Sequence, residues 1–118
     1  MFACHRNPNC FLALILSLLL VAPALGKART AGRDQQAADR DQDLCAHSLA
    51  NPDAGIPACT HLIDRDGNGE KSPGFYNNRG VGKVRKDDLE SAIRDFTSAL
   101  DHNPNFVRAR RLASLLRA

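Results

Sequence analysis

The stretch from Asp87 to Asn103 limits what this chain can fold into more than any other. Leu89, Ala92, Ile93, Phe96, Ala99 and Leu100 recur at intervals of three and four, so on a helix they form one apolar face. Asp87 is suited to cap that helix and Glu90 to reach back to it, in an aspartate version of the capping box. A face that mixes alanine with one aromatic ring is suited to a second helix lying close by.

The neighbouring segments also read as helices. Ser72-Pro73 supplies a capping side chain and a proline suited to a first turn, ahead of Phe75, Tyr76, Arg79, Gly80 and Lys83, with Arg85-Lys86 at the negative end of the dipole. Asn103-Pro104 repeats the signal before Ala109, Leu112, Ala113, Leu115 and Leu116, whose other faces carry Arg108, Arg110, Arg111 and Arg117. Upstream, Leu44, Cys45, Ser48 and Leu49 lie on one side of a short helix, and residues 51–55 offer turn chemistry. Ile56, Cys59, Leu62 and Ile63 then form a second stripe, with Pro57 predicting either a helix start or a kink there. The expectation is an all-α domain of about five helices over residues 43–118.

The first 26 residues have the order of an export signal. Arg6 precedes the apolar block Phe11–Ala22, and Ala24 and Gly26 suit cleavage before Lys27, with cleavage before Leu25 an alternative. The block is shorter than the roughly 18–20 residues that span a bilayer, so no stable membrane span is expected after cleavage, and the expected location is periplasmic or secreted. Residues 27–42 hold no apolar residue larger than alanine, so they are expected to be a disordered linker.

Of the 118 residues, the part after the leader is large enough for one small core that needs extra support. Cys4 and Cys10 leave with the leader, so Cys45 and Cys59 remain as a pair in an oxidising compartment, and a disulfide between them is the natural inference. Closing a loop of about 15 residues stabilises by roughly 3 kcal/mol. The formal charge of +3, reduced by one when Arg6 is removed, is too small to argue for nucleic acid.

From Tyr76 to Pro104 the chain resembles the tetratricopeptide repeat, a 34-residue helical hairpin with fixed small and aromatic positions. Tyr76 matches the first aromatic position, Gly80 the close-approach glycine, Ala92 and Ala99 the small residues of the second helix, Phe96 its aromatic knob and Pro104 the terminator. The wording from Tyr76 to Gly80, from Ala92 to Leu100 and from Asn103 to Asn105 is similar to exported bacterial members of that family in particular. Lys83 stands where the family has tyrosine, and Gly82 weakens the first helix. The resemblance implies a short α-solenoid of antiparallel hairpins, with its best repeat at residues 73–106, and a non-enzymatic scaffold for a protein or peptide partner. Arrays of this kind usually need about three repeats, so a truncated member or a homo-oligomer is one reading of the short length. Family geometry would place Asn77, Val81, Val84 and Arg85 of one helix, with Arg108 and Arg111 of the next, along a concave groove. An amide and three guanidinium groups there would suit a carboxylate-bearing peptide.

Two metal readings are set against blander ones. Asp64, Asp66 and Asn68, with Gly69 sixth, open like a calcium loop, but Phe75 stands at the twelfth position where a bidentate glutamate is required, so a solvated turn is the alternative. Cys45, His47, Cys59 and His61 are the ligand types of a zinc site. Residues two apart on a helix point about 200° apart, which favours the disulfide, and no cofactor is expected. No nucleophile elbow, zinc-protease motif or phosphate-cradling loop is present, so an enzyme is not expected.

Overall fold

A computed structural model describes residues 22–67 and 69–118, with side chains from residue 30 onward. The described residues form five helices and no strand: α1 (Ala22–Ala46), α2 (Pro52–Asp66), α3 (Ser72–Arg85), α4 (Leu89–His102) and α5 (Val107–Arg117). The chain divides at Gln36, and the unit Ala37–Ala118 carries the core. The apolar block before Ala22 lies outside the described residues. Among those described, no helix is long and apolar enough to cross a membrane.

Residues 27–42, expected as a disordered linker, lie inside α1. Alanine, arginine and glutamine are good helix formers, and Ala38, 7% exposed, is the one residue of this stretch that is buried among those with described side chains. The short helix expected to include Ser48 and Leu49 ends instead at Ala46. Residues 47–50 form a turn in which the Ala50 and Asn51 amides both donate to the His47 carbonyl at 3.0 Å.

Helix α2 begins earlier than Ile56. Asn51 caps it by accepting from the Ala54 amide at 3.3 Å, with Pro52 in the first turn and Pro57 carried inside. It ends at Gly67, whose φ of 59° is the left-handed conformation glycine adopts without strain. In α3 the expected serine cap is absent. Ser72 is a buried residue of the helix itself, its Oγ lying 2.9 Å from Asp66 Oδ2 and 2.8 Å from the Gly67 carbonyl.

Between α3 and α4, Asp87 takes φ 64° and its amide donates back to the Val84 carbonyl, so it turns the chain and cannot cap. Asp88 caps α4 by accepting from the Ser91 amide at 3.3 Å, and Glu90 pairs with Arg94 where it was expected to reach back. Asn103 likewise closes α4, and α5 starts later, after Phe106.

Successive helices from α2 onward pack antiparallel. Lys86 at the end of α3 pairs with Asp53 at the start of α2, and Arg79 donates to Thr60 further along α2. Tyr76 early in α3 stacks on His102 at the end of α4, with ring centroids 5.4 Å apart, while Lys83 late in α3 meets Asp95 in mid-α4. Arg117 of α5 donates back to Thr97 of α4.

The larger core is made of small residues around one ring. Ala92, Phe96, Ala99, Ala109 and Ala113 are buried, and Tyr76, Val81, Val84, Leu100, Phe106, Leu112 and Leu116 pack around them. Leu89 and Leu115, expected on the apolar faces, are exposed, Leu115 by 66%. The second core is Cys45, Ala58, Cys59 and Leu62, with Leu44 and Phe75 against it. Cys45 and Cys59 are bonded to each other, with Cα atoms 4.8 Å apart. This bond ties α1 to α2 and takes both thiols out of any metal site.

Candidate functional site

Helix α3 runs between α2 and α4, held to each by polar contacts that leave one stripe free. Asp95, 5% exposed in its side chain, accepts from Arg79 at 2.8 and 3.0 Å and from Lys83 at 2.7 Å. Burial opposes the charge on Arg79, but the Asp95 bonds outweigh it and hold the guanidinium above its usual value. Arg79 also lies over the Tyr76 ring, 5.3 Å from its centroid. These contacts fix the rotation of α3 about its axis. Val81 and Val84, three apart, are therefore presented together away from Asp95.

Opposite them lies α5, and between the two is a groove of about 620 Å³. Val81 and Val84 form one wall; Val107, Arg108, Arg111 and Leu112 form the other, and Phe96 of α4 also lines the space. Leu49, from the turn after α1, completes it. Val107 and Leu49 are 68% and 60% exposed, so the groove offers uncovered apolar surface. In α5, Arg110 donates to the Pro104 carbonyl and Arg117 to Thr97. Arg108 and Arg111 have no such partner among the described residues, leaving two free cations at the groove edge.

Of the residues expected to bind a partner, Val81, Arg108 and Arg111 meet at this groove, with Val84 beside them. Asn77 and Arg85 do not line it. Asn77 lies one turn before Val81 on the same stripe but is buried; its Nδ2 donates to Asn78 Oδ1 at 3.3 Å, while its Oδ1 has no hydrogen bond. Arg85 is exposed, one position beyond Val84. Sequence reasoning missed Leu49, Phe96, Val107 and Leu112 as walls. Leu49 had a signal in hindsight, because a disulfide from Cys45 to Cys59 draws the intervening turn against the helices.

Of the three candidate calcium ligands, Asp64 and Asp66 are described. Asp64 and Asp66 both fall within α2, where residues two apart point about 200° away from one another, and Asp66 is engaged by Ser72. Asn68 lies outside the described residues. His47 and His61 each lie near an aspartate, Asp43 and Asp41, at 3.4 and 3.5 Å.

No protein-family model, no curated protein and no solved structure matches this chain.

Proposed function

We propose that the chain is a non-enzymatic scaffold of the cell envelope, built on tetratricopeptide-like hairpins, that binds a protein or peptide partner through the groove between α3 and α5. The packing of α3 on α4 supports the hairpin reading. Gly80 lies against Phe96, Ala92 and Ala99 are buried between neighbours, and Tyr76 packs on the same cluster, which are the roles the resemblance assigns to these residues.

One observation carries the binding reading: an apolar groove open to solvent has on its edge two guanidinium groups unpaired among the described residues. Apolar lining supplies affinity by excluding water, and Arg108 and Arg111 supply selection for a carboxylate through charge-assisted hydrogen bonds. The partner is a peptide segment in which acidic residues adjoin apolar ones.

The test uses a fluorescein-labelled peptide of alternating leucine and glutamate, with a leucine–lysine peptide of equal length as control. The acidic peptide should bind and the basic one should not. The double substitution Arg108→Glu and Arg111→Glu should weaken the acidic peptide at least about tenfold, equivalent to roughly 1.4 kcal/mol. Equal binding of both peptides, or no response to the charge reversal, would remove the proposal.

A further inference from the structure

Resting on that reading, we infer that Leu49 is a binding residue of the groove and that the Cys45–Cys59 disulfide holds it there, so that partner binding depends on the oxidation state of this pair. The groove draws one wall from the turn that the disulfide closes off. Its other described walls belong to helices α3, α4 and α5, and each of these is anchored by its own packing. Leu49 is not on a helix, and its side chain is mostly exposed. Its place is set by its neighbours in the turn.

Those neighbours are tied tightly. Ser48 is 1% exposed; its Oγ donates to the Cys45 carbonyl at 2.6 Å and lies 3.4 Å from Cys59 Sγ. The same serine is pressed between two glycines. A Cβ at Gly55 would sit 2.5 Å from Ser48 Oγ, and one at Gly82 would sit 3.2 Å from Ser48 Cβ. Gly82 belongs to α3, two residues before Val84 of the groove wall. The disulfide, Ser48 and Gly82 thus form one line of contact from the sulfur pair to the groove, and Leu49 is the next residue along.

Both sulfurs are buried, Cys45 at 1% and Cys59 at 0%. A dithiol reductant must therefore meet a state in which the turn has opened. It delivers two electrons and two protons, the Sγ–Sγ bond breaks to give two thiols, and the reductant closes to its own cyclic disulfide. After reduction the loop between residues 45 and 59 is no longer closed covalently, and the turn samples open states more often. A partner that contacts Leu49 favours the closed turn and so lowers the population of the open state through which reduction proceeds, which slows it.

The experiment measures three quantities on the full chain: affinity for the leucine–glutamate peptide, amide exchange of residues 47–51, and the rate of reduction by dithiothreitol with and without peptide. On reduction, affinity should fall about tenfold while helix content is kept, and exchange at 47–51 should quicken. Saturating peptide should slow reduction. In the oxidised chain Leu49→Ala should weaken binding about fivefold and abolish the protection from reduction. Unfolding of the chain on reduction overturns the latch, and Leu49→Ala in the oxidised protein then decides only whether Leu49 binds. Equal affinity in both redox states, or an unaffected Leu49→Ala variant, overturns the inference. Failure of the oxidised wild type to bind the peptide at all overturns instead the functional reading beneath it, and unchanged exchange at 47–51 then still overturns the latch.

Discussion

Phe96 lies with its ring edge against the backbone of Gly80, so close that a Cβ at Gly80 would sit 2.7 Å from Phe96 Cε1. The ring is 0% exposed and packed among alanines, so it can yield only toward the groove it lines. Replacing Gly80 with alanine improves helix propensity by about 1 kcal/mol but overpacks a rigid ring at roughly 1–3 kcal/mol. Overpacking should win. Gly80→Ala should lower stability by up to about 2 kcal/mol in urea unfolding, whereas Gly32→Ala, with open space around it, should not.

Asp95 is the shared acceptor of Arg79 and Lys83 between α3 and α4. Asp95→Asn keeps the shape and leaves two largely buried cations without their counter-charge. A loss of about 3 kcal/mol is expected, measured by denaturant unfolding. Lys83→Met removes one of two donors and leaves the Arg79 pair intact, so it should cost clearly less.

The Asp88 carboxylate is held below its usual value of 3.8, chiefly by the hydrogen bond it accepts from Ser91, with Lys83 and Arg94 adding attraction. Its folded value lies below the unfolded one, so the unfolded chain takes up the proton first as pH falls. The contribution of Asp88 to stability is therefore complete at neutral pH, shrinks below about 3.8 and is gone once pH passes the folded value. The difference in melting temperature between wild type and Asp88→Ala should be present at pH 7 and vanish at the acid end of a thermal series.

On α5, two residues on opposite sides of the helix should respond in opposite ways. Ala113 is 3% exposed against Phe96 and its neighbours, while Leu115 is 66% exposed. Ala113→Leu should destabilise by about 1–3 kcal/mol through overpacking. Leu115→Gln should stay within about 0.5 kcal/mol of wild type, both read from chemical denaturation.

The clearest part of the sequence was also the best guide to structure. Ala92, Phe96 and Ala99 are wholly buried on α4, as their spacing predicts, and Cys45 is bonded to Cys59, as the pairing of two leftover cysteines suggested. Helix ends were less legible. Asp87 and Asp88 are adjacent carboxylates of equal capping ability, and only the left-handed turn at Asp87 decides that Asp88 is the cap. Residues 27–42 lie within α1 although they carry no apolar stripe, so periodicity alone gave no sign of this helix.

What the sequence determined by itself is local: which segments are helical, which faces are apolar and where small side chains permit close approach. These follow from periodicity and from steric freedom within a turn or two. The groove was decided only in three dimensions. Val81, Val84, Arg108 and Arg111 line it, but Asn77 fell into the core and Leu49 arrived from a turn 32 residues before Val81 in the chain. Which face of α3 looks outward depends on its rotation, and that is set by the Asp95 bonds and by the contact of Gly82 with Ser48, neither of which any local pattern encodes.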